Sequence, residues 1–405
     1  MTNFSKRMET AEPSMVRELW KYWYLPDLHS LGGGNPAPET FPVKEMQQIS
    51  EELFKESKGD NKKITKLFSY GVTEGEDELR EVLRSRYMEH YGIGDPEKDE
   101  LAVFTGGQQI IDLTVKAFVN TGDTIAVEDS TYSGLMSCAW GYEAKMTGVR
   151  TDKDGMIPEE LEKVLKENDR VKLIYLVPTF NNPMGIVTSL ERRKAIYELA
   201  VKYDVMILED SPYFELRYSG EYVPAIKSLD TTGHVIFAGS TSKILAPGMR
   251  LGFAIADKNV MGKLVIGKQC EDLNNPGLLQ LMVARYIKTY DLDAHIRDNC
   301  DLYRRKRDAM LAALDKYMAG KAEWTHPEGG FFLWLTLPEG VSGDDFCHYV
   351  IEKYHVLVVC GSAYRPNGDD VNALRLNFSL PEVDEIDLCI KRISDALEAY
   401  QKEQQ

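Results

Sequence analysis

A layered α/β fold is predicted for this chain: a large domain whose mostly parallel sheet is flanked by helices, plus a smaller α+β domain. Three observations carry the prediction. Short apolar runs alternate with helical stretches from "LAVFT" to "LGFAIA", the pattern of strands buried on both faces and joined by crossover helices. A long charged helical stretch, "DAHIRDNCDLYRRKRDAMLAALDKYM", then interrupts them. Beyond it lie only a few strands, "GGFFLWLTL", "HVLVVCG" and "ALRLNFS".

The elements follow in order. Residues 8–24 predict a short amphipathic helix rich in aromatics, "VRELWKYWYL". "SLGGGNPAPETFP" clusters Gly and Pro and predicts an ordered turn. Helical periodicity resumes in "VKEMQQISEELFKES" and "GEDELREVLRSRYMEHYG". The strands of the larger sheet are "LAVFT", "TIAVED", "EAKMTGV", "KLIYLVP", "VMILED", "HVIFAG" and "LGFAIA". The expected division is an arm over 1–41 that contributes to the small domain, a large domain over 42–295 and a small one over 296–405.

Composition narrows the function. The 405 residues carry a formal net charge of -16, which repels phosphate backbones and argues against a nucleic-acid partner. The six cysteines have no zinc-ligand or CxxC spacing, so no metal is expected. Scattered thiols fit a reducing cytoplasm. The N-terminus lacks an apolar signal core, and no run could span a bilayer, so no membrane partner is expected. No GxxxxGK[ST] loop or strand-linked GxGxxG occurs.

Ligands of open α/β sheets sit beyond the carboxyl ends of the strands. Thr105-Gly106-Gly107-Gln108-Gln109 follows the first strand and enters a helix, where backbone N–H groups can hold a phosphate; a plain tight turn would read the same. Tyr132 follows the second strand and could stack on a flat ring or fill core. Asn181-Asn182-Pro183-Met184-Gly185 reads equally as an ordinary turn. Asp210 ends a strand, where a carboxylate is buried only if paired or serves as a cap. "STSKILAPGMR" brings Lys243 between hydroxyl residues, with Arg250 beyond it. Together these supply what pyridoxal 5'-phosphate requires: an amine for its aldehyde, an acid for its ring nitrogen, donors for its phenolate and a cradle for its phosphate.

The same segments resemble a known family. "STSKILAPGMRLGF", "NNPMG", "EDSPYFELRY", "YGVTEGEDELRE" and "ALRLNFS" look like the motifs, in order, of fold-type-I, class I/II aminotransferases. "PSMVRELW" and "SLGGGNPAPETFP" resemble the 2-aminoadipate and kynurenine aminotransferase branch. The resemblance implies the aspartate aminotransferase-like fold of PLP-dependent transferases and a cytoplasmic homodimer with shared active sites. It implies that Lys243 is the Schiff-base lysine, that Asp210 pairs with the pyridine nitrogen, and that Tyr213 and Asn182 reach the phenolate oxygen. Tyr132 would stack on the ring. Gly107, Gln108, Ser240, Ser242 and Arg250 would hold the phosphate, joined by Tyr70 from a second subunit. Arg375 would receive the substrate carboxylate, Gly33 and Gly34 would line the substrate side, and Arg17 would read a distal carboxylate. Two departures stand out. Gly107 replaces a frequent serine, which removes one hydroxyl donor, and Cys360 replaces a usual proline near the small-domain loop.

The implied reaction transfers an amino group from an L-amino acid, aromatic, 2-aminoadipate-like or otherwise large, to a 2-oxo acid such as 2-oxoglutarate, with the freed Lys243 moving the α-proton. Two readings keep the same residues: a C–S lyase or decarboxylase on the same fold, and a non-catalytic PLP-binding sensor. "YRRKRD" at 303–308 predicts a solvated helix face, and "EGGFFLW" predicts small-domain core.

Overall fold

The structure is a computed structural model that describes residues 4–9 and 19–404. Its larger sheet has seven strands in the order Asp99–Phe104, Gly252–Asp257, Val235–Ser240, Met206–Asp210, Val171–Leu176, Thr124–Glu128 and Lys145–Val149. Only Gly252–Asp257 runs antiparallel to its neighbours. The central strands are apolar along almost their whole length because helices cover both faces. Polar residues therefore collect where strands end. Gly252 pairs with both Phe104 and Ser240, which sets the turn after Phe104, the end of Val235–Ser240 and Arg250 at one edge of the sheet.

The smaller sheet is antiparallel, in the order Glu323–Trp324, Phe332–Thr336, Ala373–Asn377 and Val359–Cys360. Early chain joins this unit. His29–Ser30 pairs in parallel with Val356–Leu357, and Asn377 N–H donates to Leu31 O at 2.7 Å. Phe331, Phe332, Leu333 and Trp334 are buried in the core, as the "EGGFFLW" stretch implies.

The helix Leu292–Tyr317 runs through residue 295 without a break, so no loop separates the two sheets at that point. Its first turns rest on the lysine loop, where Asn299 Nδ2 donates to Ile244 O at 3.2 Å. Its last turn meets the C-terminal helix Val383–Glu403, where Tyr317 OH donates to Asp387 at 3.1 Å. The expectation of a solvated "YRRKRD" face is corrected here, since Tyr303, Lys306 and Arg307 are buried. They share an i, i+3, i+4 stripe with Met310, and helical period rather than charge decides which side faces in. Lys306 Nζ is satisfied by Glu39 at 3.1 Å, and Arg307 by Pro327 O at 3.0 Å. Of the predicted helix over 8–24, Met8 and Glu9 end the α-helix Lys6–Glu9, while Leu19–Tyr24 is a 3-10 helix, which corrects the expectation there. Among the described residues, no helix is long and apolar enough to cross a membrane.

Candidate active site

Lys243 emerges from the loop after Val235–Ser240 and is partly buried. Its Nζ donates to Gly34 O at 2.7 Å and lies 5.8 Å from the ring centres of Tyr213 and Phe331. Burial, and then the charges of Arg375 and Arg250, push the ammonium down to about 8 against the pull of Asp210. Asp210 ends its strand buried. Burial pushes its carboxyl up to about 6, opposed by a hydrogen bond from Tyr175 and by the Lys243 charge. An amine and a carboxyl, each displaced toward neutral pH by low dielectric, thus lie within each other's field.

The anion end lies at the sheet edge that Gly252 organises. Gly106 has φ +78 and leads into the helix Gly107–Phe118. A Cβ on Gly106 would lie 2.5 Å from Arg250 Nη2, so only glycine allows the guanidinium this close to the helix N-terminus. Arg250 itself sits at φ +52 and donates to Thr105 O at 3.2 Å. Ser240 Oγ accepts from Ser242 N–H at 3.1 Å, and both serines are buried. The Gln108 side chain is spent elsewhere, donating to Gly134 O at 2.8 Å and to Cys138 Sγ at 3.1 Å. Tyr132 OH donates to Gln108 Oε1 at 3.3 Å. A phosphate would therefore meet the backbone N–H at 107 and 108 rather than this amide. Thr105, at the start of this turn, is tied to Asp272, which also takes Lys268 at 2.7 Å.

Arg375 lies in the middle of the smaller sheet and is buried. It donates to Asn182 Oδ1 at 3.1 Å, to Gly32 O at 2.5 Å and to Gly33 O at 3.3 Å. Its guanidinium sits 4.1 Å from the Phe332 ring centre and 5.0 Å from that of Tyr364. Among the described residues its Nε has no partner. A buried cation held only by neutral acceptors keeps the charge and the planar donors that suit a carboxylate. Tyr213 is buried, and burial holds its phenol well above the ordinary value.

The structure thus brings Lys243, Tyr213, Asn182, Arg375, Gly33 and Gly34 close together, within the electrostatic reach of Asp210 and Tyr132, while Gly107, Ser240, Ser242 and Arg250 lie at the sheet edge that Gly252 organises. Tyr70 is not brought in; it stands 85% exposed. Arg17 lies outside the described residues. Sequence reasoning missed Tyr175, whose only signal is one phenol in an aliphatic strand. It also missed Glu128, fully buried and pushed by burial up to about 8. Glu128 Oε2 accepts from Asn181 Nδ2 at 2.7 Å and so braces the turn that carries Asn182.

These groups fit a phosphorylated pyridine aldehyde: a depressed amine, a buried carboxyl, a glycine cradle beside a guanidinium, and the Arg375 Nε that has no partner among the described residues. The fold and this site define a PLP-dependent transferase of the aspartate aminotransferase-like fold. The family model "Aminotransferase class I and II" matches residues 30–393, and the chain belongs to that family. It is 38% identical to aromatic-amino-acid aminotransferase 1 of Thermococcus litoralis, over 98% of this chain and 95% of that one. It is 32% identical to the 2-aminoadipate transaminase of Thermus thermophilus, over 97% of this chain and 96% of that one. The kynurenine aminotransferase of Pyrococcus horikoshii, solved in complex with PMP, superposes with a TM-score of 0.91 at 38% identity, covering 98% of this chain and 97% of that one. The protein is an aminotransferase, and its cofactor is pyridoxal 5'-phosphate.

Proposed function

We propose that this aminotransferase takes large L-amino acids, aromatic or 2-aminoadipate-like, as donors and 2-oxoglutarate as acceptor. The observation that carries the reading is Arg375: a buried guanidinium on neutral partners, within the field that depresses Lys243. The similarity to enzymes named for aromatic amino acids, 2-aminoadipate and kynurenine supports the donor class.

When bound, pyridoxal phosphate supplies an aldehyde that exchanges amines and a ring that draws electrons from the α-carbon. Lys243 would meet its aldehyde and Asp210 its ring nitrogen, Tyr213 and Asn182 its phenolate oxygen, and Tyr132 its ring face. Ser240, Ser242, Arg250 and the N–H groups at 107 and 108 would hold its phosphate. Arg375 binds the substrate carboxylate and sets the α-carbon toward Lys243. Lys243 Nζ, deprotonated above about pH 8, takes the α-proton and returns it. Asp210 keeps a proton on the ring nitrogen by offering it a buried negative charge. Gly33 and Gly34 close the substrate side.

The same proposal includes a homodimer in which Tyr70 reaches the partner's phosphate. Tyr70 is 85% exposed and adjoins exposed Phe68, which stacks on Phe54 at 6.1 Å; such apolar surface favours a partner. It also includes the division at residues 42 and 296, and a cytoplasmic setting, which the six free cysteines support.

The test is a donor panel with 2-oxoglutarate, reading glutamate. Aromatic donors and 2-aminoadipate should lead the panel. Glutamate from none of them would overturn the donor and acceptor assignment, and pyruvate with ammonia from cysteine-like substrates would point to a lyase.

A further inference from the structure

Asp210 is expected to hold its charge on a pyridine nitrogen, yet it sits in surroundings that favour its neutral form. Something must stabilise the anion and fix its orientation. The strand register provides a means. Tyr175 and Asp210 lie on the neighbouring strands Val171–Leu176 and Met206–Asp210, with Tyr175 opposite Leu208. Both are buried, Tyr175 completely. The Tyr175 phenol donates to Asp210 Oδ2 at 2.8 Å, and no other hydrogen bond to this carboxylate is present among the described residues. One oxygen is therefore anchored by Tyr175, and Oδ1 has no hydrogen bond among the described residues.

We propose that Tyr175 is a positioning residue: its phenol anchors Oδ2 of Asp210, so that Oδ1 meets the cofactor's ring nitrogen as a carboxylate. The inference rests on the assignment of Asp210 proposed above. The phenol suits this task because it remains a donor, since burial and the Asp210 charge hold its own titration well above the ordinary range. A hydrogen bond to a charged acceptor is also worth more than one between neutral groups. A tyrosine is one of the few side chains that can fill an apolar strand and still present a donor at its tip.

The other groups that bear on Asp210 are known. Lys243 favours the anion from the lysine loop. Glu128, Tyr132 and Tyr213 would each oppose it if ionised, and burial holds all three toward their neutral forms. Tyr175 is thus the one neutral group that favours the charged carboxylate by direct contact.

The test compares wild type, Tyr175→Phe and Asp210→Asn in the full chain, by two measurements. Isotope-edited infrared follows the protonated Asp210 carboxyl against pH in the cofactor-free protein, with Asp210→Asn identifying the band. Nitrogen-15 resonance follows the ring nitrogen in enzyme loaded with labelled cofactor. In Tyr175→Phe the carboxyl midpoint should rise by about one to two pH units, and the nitrogen resonance should move toward the unprotonated value. A fluorinated tyrosine at 175 alone, a stronger donor, should move the midpoint the opposite way, which a purely structural tyrosine would not do. If Asp210→Asn leaves the nitrogen resonance unchanged, the Asp210 assignment falls and this inference with it. If Asp210→Asn shifts it while Tyr175→Phe alters neither measurement, only the role of Tyr175 falls.

Discussion

Lys243→Met in the cofactor-free chain should stabilise the fold, and by an amount that depends on pH in a set way. Burial and two cations hold the wild-type ammonium at about 8, against 10.5 for the free side chain. The folded value lies below the unfolded one, so the folded chain resists the charge. Below about pH 8 both states are protonated and the full penalty applies. Between about 8 and 10.5 the folded chain sheds its proton first and stability recovers. The displacement corresponds to about 3 kcal/mol. For a chain of 405 residues, with an unfolding entropy of about 2.1 cal/mol/K per residue, that is roughly 3–4 °C in melting midpoint. Methionine removes the charge and keeps the apolar stem, so its advantage over wild type should be greatest at pH 7 and shrink toward pH 10.5. The lost hydrogen bond to Gly34 O and the change in packing add an offset that does not vary with pH. Paired thermal scans at matched concentration measure the difference, and tyrosine ionisation cancels between the two proteins. A gain that stays flat from pH 7 to 10.5 would refute the reasoning, because the amine would then titrate normally.

Three further outcomes follow from the site. Arg375→Lys should lower kcat/KM for α-amino acids by about 10–100-fold, since a point charge loses the planar pairing worth about 1.5–3 kcal/mol; steady-state kinetics would show it mainly in KM. Tyr70→Phe should weaken cofactor retention by roughly 5–10-fold, about one hydrogen bond, read as cofactor loss on dilution, and a variant that retains it like wild type would remove Tyr70 from the phosphate. Gly106→Ala should displace Arg250, whose Nη2 is 2.5 Å from the added carbon, at a left-handed φ that costs a further 1–3 kcal/mol or so. Its apoprotein should melt lower and take up cofactor poorly, as a fluorescence titration would record.

Much of the site was readable because it lies at strand ends. In a doubly wound sheet an apolar run followed by a polar cluster marks the ligand edge, which is how Asp210, Lys243 and the Gly106–Gly107 turn stand out. Buried partners gave less signal. Tyr175 and Glu128 sit within or at the tip of apolar strands, and a residue that acts through its neighbour on another strand has no spacing of its own in the chain. The buried side of "YRRKRD" was obscured for a related reason. Lys306 and Arg307 find partners in Glu39 and Pro327, far away in sequence, so local charge alone suggested water.

The chain by itself determined the layered fold, the family and the chemistry, because alternating apolar runs and the residues after them are local properties. Only the tertiary structure decided which polar groups share an environment. It brought Gly32, Gly33 and Gly34 onto Arg375 and Lys243, turned the Gln108 amide away from the anion end, and left Tyr70 facing outward. Dielectric and pairing depend on what the fold places within a few ångströms, and the order of residues along the chain does not contain that distance.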